Sequence, residues 1–153
     1  PVIFLEPKRI YRSLKETIPD DPYTVPIGPA RMVRSGDHVS VFAYGAMIPV
    51  CEEAATLAAR EGVTVDLIDL RTLYPLDKNS ILHSVQKTGR ALIVYEAPKT
   101  GGYGSEVAAV IAEEALDYLK APVARVAGAD TPFPYAVEGY YLPTAQRVYN
   151  ELM

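Results

Sequence analysis

The stretch with the most potential for chemistry is a glycine-rich loop, Glu96–Glu106 (EAPKTGGYGSE), between a predicted strand and a predicted helix. Such loops bind anions where they lead into a helix, because the first backbone N–H groups of a helix have no partner within it. The loop matches neither the dinucleotide-binding fingerprint nor the phosphate-binding loop that ends in Gly-Lys-Ser/Thr. We therefore favour a structural role, in which the glycines permit a tight turn and close packing against a neighbour, over anion binding.

The remaining reactive side chains do not form a catalytic set. His38 and His83 have no Cys, His or acid at ligand spacing, so we expect no metal site and interpret both as structural or surface residues. Cys51 falls in the first turn of a predicted helix, which favours a thiolate, but two glutamates follow it and oppose one, so we interpret it as a packing residue. Asp66 and Asp69 are better explained as hydrogen-bond acceptors at a strand end than as an acid/base pair.

A regular alternation of strands and helices must position these residues. Its centre is Thr64–Asp77 (TVDLIDLRTLYPLD), where an apolar strand leads through a polar turn with Arg71 and Thr72 to an aspartate that can cap the next helix. Predicted strands cover 38–44, 64–70, 91–95 and 123–127, and predicted helices begin near Pro49, Asp77, Ser105 and Thr144. This order predicts an α/β fold, a three-layer α/β/α sandwich around a mostly parallel sheet.

Composition bounds the class of protein. The 153 residues suit one domain, and a net charge of −4 gives no reason to expect nucleic acid or a membrane as partner. No run approaches the roughly 18 apolar residues that span a bilayer. The single cysteine, Cys51, excludes an internal disulfide and fits a reducing compartment, so we expect a cytoplasmic protein, or a mitochondrial matrix protein in a eukaryote.

The first 29 residues differ in character from the rest. Pro1–Glu6 is an apolar, strand-like segment, and residues 13–29 contain four prolines and an acidic pair without periodicity, which predicts an extended linker. We expect the folded domain to cover residues 30–153 and the first strand to belong to a preceding domain. Since the chain begins with Pro1, we expect it to be a piece of a longer polypeptide.

Long strings in a fixed order carry a resemblance over essentially the whole chain. They are EPKRIYR (Glu6–Arg12), IDLRTLYPLD (Ile68–Asp77), SVQKTGRALIVYEAPKTGGYGSE (Ser84–Glu106), APVARVAGADTPFPY (Ala121–Tyr135) and YLP (Tyr141–Pro143). With them the chain resembles the C-terminal domain of the beta subunit of 2-oxo acid dehydrogenases, the thiamine-dependent decarboxylating component within the transketolase-like group. The strings look more like the branched-chain type than the mitochondrial pyruvate type.

The resemblance implies a part in an enzyme of two alpha and two beta subunits. There thiamine diphosphate and magnesium lie between the alpha subunit and the beta subunit's pyrimidine-binding domain, and a 2-oxo acid is decarboxylated with acyl transfer to a lipoyl group. The pyrimidine-binding domain, except for its last strand, and the metal motif of the alpha subunit are not in this sequence. We therefore expect the chain alone to bind no cofactor, to be inert, and to serve in assembly and docking.

The resemblance also implies three protein partners: the alpha subunit, a second beta subunit, and the basic peripheral-subunit-binding domain of the dihydrolipoyl acyltransferase. That last domain is expected to meet a carboxylate just before Ala-Pro, where this chain has Lys120. Glu114, Asp117 and Asp130 are the predicted substitutes.

Aromatic side chains on loops are the predicted contacts with a second copy of the domain. The segments Thr131–Tyr135 and Tyr140–Pro143 fit no predicted helix or strand, and exposed aromatics on ordered loops are typical interface anchors. The predicted contact residues are Tyr103, Phe133, Tyr140 and Tyr141. The alternative is that these rings cover the sheet edge within one chain.

Two other functions stay open. One is a stand-alone regulatory domain that binds an anion or small molecule through Gly101–Gly104. The other is the corresponding domain of a transketolase or deoxyxylulose-phosphate synthase, against which EAPKTGG and DTPFPY argue. The sequence does not identify the 2-oxo acid.

Overall fold

A five-stranded mixed sheet with helices on both faces forms the body of the chain in the computed structural model, which describes residues 1–153. The strands are β1 Arg31–Arg34, β2 Val39–Ala43, β3 Val65–Asp69, β4 Ala91–Pro98 and β5 Ala124–Gly128, in the order β1-β3-β2-β4-β5. The helices are α1 Met47–Arg60, α2 Lys78–Thr88, α3 Gly104–Glu114, α4 Glu138–Tyr141 and α5 Ala145–Leu152. The predicted fold class is confirmed.

The four predicted strands form the parallel part of the sheet, and an unpredicted strand closes one edge. β2 runs parallel to both β3 and β4, and β4 runs parallel to β5. The additional strand, β1 (RMVR), pairs antiparallel with β3. β1 lies at an edge of the sheet and none of its four residues is buried, so it lacks the apolar run that marked the other strands.

Two hydrophobic cores lie on opposite faces of the sheet. On one face Val41 packs with Cys51 of α1 and Val148 of α5. On the other face Phe42 packs with Ile111 of α3 in a cluster that also includes α2 side chains. Each fully buried aliphatic or aromatic side chain of this kind stabilises the fold by about 1.5–3 kcal/mol. Neighbouring residues of β2 thus serve opposite cores, as the strand alternation requires.

The predicted helix ends are partly confirmed. The Asp77 carboxylate accepts a hydrogen bond from Ser80 N at 3.1 Å, and the Thr144 hydroxyl accepts one from Arg147 N at 3.3 Å, so both cap their helices as predicted. Ser105 is not a cap, because α3 begins one residue earlier and the residue before it contributes no capping side chain. Similarly, α1 begins two residues before Pro49.

The N-terminal segment is largely exposed, and its end is fixed to the domain. Pro1–Glu6 forms no strand, since no other strand lies beside it to pair with its backbone. At the end of the linker, Gly28 N donates to Thr72 Oγ1 at 3.0 Å and Ala30 N donates to Asp77 Oδ2 at 2.9 Å. The turn after β3 therefore receives the linker. The domain boundary near residue 30 stays a prediction.

Candidate functional site

The glycine-rich loop is shaped around one buried aromatic ring. Tyr95, in β4, is fully buried, and its ring fills the space where Gly102 and Gly104 would otherwise carry side chains. A Cβ atom at either position would overlap ring atoms, and at Gly102 it would also overlap the carbonyl oxygen of Pro98. The glycines are therefore needed for close packing of the α3 N-terminus on β4. This geometry agrees with the structural role.

The outer part of the loop is held by side chains from elsewhere in the fold. Both Asp130 oxygens accept hydrogen bonds from Thr100, one from the backbone N at 2.8 Å and one from the hydroxyl at 2.7 Å. These bonds hold the Asp130 pKa below its usual value, and the bond from the backbone N of Thr100 has the larger effect. Tyr103 O–H donates to the carbonyl oxygen of Leu73, which ties the loop to the turn after β3. The outer part of the loop is therefore held in place by hydrogen bonds within the same chain.

An arginine braces the start of α3. Arg125 Nη1, from β5, donates to Ser105 Oγ at 2.7 Å and to the carbonyl oxygen of Lys99 at 3.0 Å. The hydroxyl that the sequence suggested as a helix cap is thus an acceptor for a neighbouring strand. The polar groups around the loop connect β4, β5 and α3 to one another.

A buried polar cluster between the sheet and α2 was missed by the sequence analysis. Asp66 lies within β3 and is fully buried, and it accepts hydrogen bonds from Gly36 N at 3.2 Å, Ser84 Oγ at 2.5 Å and Lys87 Nζ at 2.5 Å. Ser84 also contacts the buried hydroxyl of Ser40 at 2.6 Å. Asp66 is therefore an acceptor, as expected, but its role is to join α2 to the sheet. The sequence feature that could have revealed this cluster is the set of polar residues on the buried face of α2.

Cys51 and the two histidines occupy structural or surface positions. Burial, with a smaller contribution from Glu52, raises the pKa of the Cys51 thiol to about 12, so the thiol stays protonated at neutral pH. His38 Nδ1 lies 2.7 Å from Thr64 Oγ1, a contact that joins the starts of two strands. His83 is exposed on α2. No group of three or more His, Cys, Asp or Glu side chains is arranged to hold a metal ion.

Asp69 differs from Asp66 in its surroundings. Burial raises its pKa, against the opposing effects of a hydrogen bond from Arg71 N at 3.1 Å and the positive charge of Arg31. The Arg31 guanidinium lies 3.6 Å from the carboxylate. Asp69 thus joins the edge strand β1 to the end of β3.

The four predicted contact aromatics are not equivalent. Tyr140 is 90% exposed and Phe133 is 39% exposed, which suits contact residues, but Tyr141 is only 5% exposed. Tyr141 packs edge-on against Phe133, with ring centroids 5.1 Å apart. Tyr103 is partly buried and stacks edge-on against Tyr44. The premise of an exposed ring is therefore wrong for Tyr141, because α4 turns this ring inward.

The predicted docking carboxylates are spread over different environments. Glu114 pairs with Lys78 of α2 at 2.8 Å, and this contact raises the Lys78 pKa. Asp117 is exposed in a short 3-10 turn after α3, whereas Asp130 is used by the glycine-rich loop. Lys120, at the position where the resemblance expects a carboxylate, packs over Gly89 and donates from its backbone N to the Gly89 carbonyl oxygen at 2.7 Å. Of the three, Asp117 is the carboxylate that forms no side-chain hydrogen bond or ion pair within the chain.

The fold and this loop arrangement define an α/β domain with a five-stranded mixed sheet. None of its helices is long and apolar enough to cross a membrane. Residues 28–148 match the family described as "Transketolase, C-terminal domain". The chain belongs to this family.

The sequence is also similar to the beta subunits of two kinds of dehydrogenase. The chain is 45% identical over 152 residues to the 2-oxoisovalerate dehydrogenase subunit beta 2, mitochondrial, of Arabidopsis thaliana, covering 99% of this chain and 42% of the relative. It is 45% identical over 144 residues to the corresponding mitochondrial beta subunit of Dictyostelium discoideum, covering 94% and 39%. It is 42% identical over 144 residues to the pyruvate dehydrogenase E1 component subunit beta of Staphylococcus aureus, covering 94% and 44%. The chain thus spans about two fifths of the length of these relatives, and the resemblance found in the sequence is confirmed.

Solved structures agree with the fold. A split-gene transketolase, described as an inactive beta4 tetramer, superposes with a TM-score of 0.76 at 29% identity, covering 91% of this chain and 44% of that one. The 2-oxoglutarate:ferredoxin oxidoreductase of Magnetococcus marinus superposes with a TM-score of 0.54 at 13% identity over 81% of this chain and 18% of its own, a likeness of fold alone.

Proposed function

We propose that this chain is the C-terminal domain of the beta subunit of a thiamine-dependent 2-oxo acid dehydrogenase, where it serves assembly and docking. The observation that carries the proposal is the identity of 42–45% that spans 94–99% of the chain, with beta subunits of two such enzymes. In the complete enzyme the reaction is the oxidative decarboxylation of a branched-chain 2-oxo acid or pyruvate, with acyl transfer to a lipoyl group.

The geometry supports a scaffold role for this domain. The most site-like loop has its interior filled by Tyr95 and its outer edge held by Asp130 and Arg125. No buried side-chain polar atom lacks a hydrogen-bond partner. The side chains that could act on a ligand instead connect strands and helices, and this favours assembly over the stand-alone binding domain. We assign no bond-making step to these residues.

Thiamine diphosphate and magnesium belong, in this proposal, to the complete enzyme. The residues of this chain do not fit either group: no acidic or histidine cluster could hold magnesium, and the glycine-rich loop has no room for a diphosphate beneath it because of the Tyr95 ring. The chain contributes instead to the subunit framework that holds the cofactor-binding domains together.

Three protein contacts follow from the proposal. The alpha subunit is the first partner, and a second beta subunit is the next, with Tyr103, Phe133 and Tyr140 as the leading contact residues. The third is the peripheral-subunit-binding domain of the dihydrolipoyl acyltransferase, which meets the end of α3 at Asp117 and Glu114. The Lys78–Glu114 ion pair does not prevent this, because an exposed ion pair contributes little and can exchange partners.

A chimera tests the proposal. The matching C-terminal part of the Staphylococcus aureus beta subunit is replaced by this chain, and the chimera is co-expressed with the alpha subunit of the same enzyme. We expect sedimentation velocity to show an assembly of two alpha and two beta subunits. The control chimera carries the C-terminal domain of a transketolase, which has the fold without the close identity. A folded chimera that stays separate from the alpha subunit would contradict the proposal.

A further inference from the structure

The end of the linker has two backbone donors, and side chains of one turn accept hydrogen bonds from both. Pro29 has no N–H group, so in the sequence Gly-Pro-Ala only Gly28 and Ala30 can donate. Gly28 N donates to Thr72 Oγ1 at 3.0 Å and Ala30 N donates to Asp77 Oδ2 at 2.9 Å. Both acceptors lie in the turn between β3 and α2, 44 and 47 positions further along the chain. The linker is therefore attached to this turn at two points.

The backbone of this segment suits a fixed attachment. Gly28 has a φ of +114°, in the region that glycine adopts freely, and the ring of Pro29 restricts its own φ. Residues 14–27, in contrast, belong to no helix or strand and form no hydrogen bond within the chain. Gly28 is thus the residue at which the linker becomes fixed to the domain.

Asp77 joins the linker to helix α2. Its Oδ1 accepts a hydrogen bond from Ser80 N at 3.1 Å and caps the helix, whereas its Oδ2 accepts from Ala30 N and, at 2.7 Å, from the Ser80 hydroxyl. Ala30 packs against the hydrophobic core on the α2 and α3 face, and Ile10, which precedes the linker, packs against the core on the opposite face. The linker is therefore a strap that connects the two faces of the sheet.

We propose that Thr72 and Asp77 form a latch for this strap, in which Asp77 is the positioning residue that couples the linker to α2. The latch fixes the direction in which the linker leaves the domain. Because one carboxylate serves both the helix cap and the linker, an interaction that draws the linker away also weakens the cap, as reciprocal coupling requires. All the groups involved belong to this chain, so the inference is independent of the proposed function.

Two substitutions of Asp77 separate its two roles. Serine and asparagine are both good helix caps, but each has a single side-chain oxygen, which leaves Ala30 N without its acceptor once the cap is made. Amide hydrogen exchange is followed by NMR in Asp77→Ser and in Asp77→Asn. We expect the Ala30 amide to exchange about tenfold faster, as for the loss of one hydrogen bond to a charged group, and the Ser80 amide to change by less than about twofold.

Thr144→Ala is the matched control. It removes the hydroxyl that caps α5 and that forms no hydrogen bond with the linker, so the Ala30 amide should exchange as in the parent. Thr72→Val removes the other half of the latch and should accelerate exchange at Gly28 more than at Ala30. Unchanged exchange at Ala30 in both Asp77 variants would overturn the latch. Equal acceleration at Ala30 and at the first turn of α2 would also overturn it, because the whole helix end would then be fraying.

A distance measurement tests the consequence for the linker. Val25→Cys and Gln86→Cys place spin labels on an exposed linker position and on an exposed position of α2, while the buried Cys51 stays unlabelled. Pulsed electron–electron double resonance should give a narrower distribution of distances in this labelled chain than in the same chain carrying Thr72→Val/Asp77→Ser. Equal widths of the two distributions would overturn the claim that the latch directs the linker.

Discussion

Gly104→Ala is the substitution that most sharply tests the role of the glycine-rich loop. Gly104 is buried at the start of α3, and the new Cβ would overlap the Tyr95 ring, which is itself fully buried and cannot swing into solvent. Overpacking of a core costs about 1–3 kcal/mol. The usual gain from Gly to Ala within a helix, about 0.5–1 kcal/mol, is smaller at the first helical position and does not offset the clash. We expect the free energy of unfolding to fall by about 1–2 kcal/mol.

Gly139→Ala is the matched control. Gly139 lies in α4 without positive φ, and nothing stands within 4 Å of the position its Cβ would take. Urea denaturation followed by circular dichroism should show no loss of stability in this variant and a clear loss in Gly104→Ala. If Gly104→Ala were as stable as Gly139→Ala, the argument that Tyr95 requires this glycine would be wrong.

A double-variant cycle separates this clash from a general effect on the helix. Tyr95→Leu shortens the side chain that the new methyl group meets, so Gly104→Ala should cost less in that background. We expect a coupling free energy of about 0.5–3 kcal/mol between the two sites, the range for residues in direct contact. If the effects of the two substitutions on the free energy of unfolding were strictly additive, the proposed contact would be refuted. In a separate measurement, stabilisation of the unsubstituted chain by inorganic phosphate would favour the anion-binding alternative.

Three further predictions concern other parts of the chain. Tyr141→Ala should lower the free energy of unfolding by about 3–5 kcal/mol in urea denaturation, as for a buried aromatic. Phe133→Ala should mainly weaken self-association in analytical ultracentrifugation. The reverse pattern would contradict the positions assigned to these two rings. Asp77→Ala should cost about 1 kcal/mol at pH 7, the typical value for a helix cap. Burial raises the Asp77 pKa, but the hydrogen bonds from Ala30 and Ser80 lower it by more, so the pKa lies below its ordinary value of 3.8. The stability that Asp77 contributes is therefore present above pH 3.8 and lost as the pH falls through the lower folded value, so the difference between variant and parent should vanish there; a difference independent of pH would refute the assignment. Calorimetric titration of the chain with thiamine diphosphate and magnesium should show no binding, and stoichiometric binding would overturn the scaffold role.

The sheet and its helices were predictable because their signals are local. The apolar runs lie within β2 to β5, and the capping residues Asp77 and Thr144 lie directly before α2 and α5. The short strand β1 has no such run, since arginines occupy both of its ends and none of its residues is buried. Ser105 satisfied the local pattern of a cap, but Arg125, distant in sequence, takes its hydroxyl as an acceptor.

The side-chain environments required the folded chain. Asp66 receives hydrogen bonds from residues 18 to 30 positions away, which no local pattern encodes. The glycines predicted close packing, but the identity of the ring that they accommodate depends on how α3 meets β4. Tyr140 and Tyr141 are adjacent in sequence, yet one is exposed and the other buried, because a helical turn sends consecutive side chains in different directions.

Turnover by the chimeric enzyme tests most directly whether this domain completes the beta subunit of a 2-oxo acid dehydrogenase, as proposed. The Staphylococcus aureus beta subunit carrying this chain is assembled with its alpha subunit, and pyruvate-dependent reduction of an artificial electron acceptor is measured in the presence of thiamine diphosphate and magnesium. We predict turnover within about tenfold of the parent enzyme, since the replaced part makes no contact with the reacting atoms in this account. A folded chimera with no more turnover than the one carrying the transketolase domain would contradict the claim.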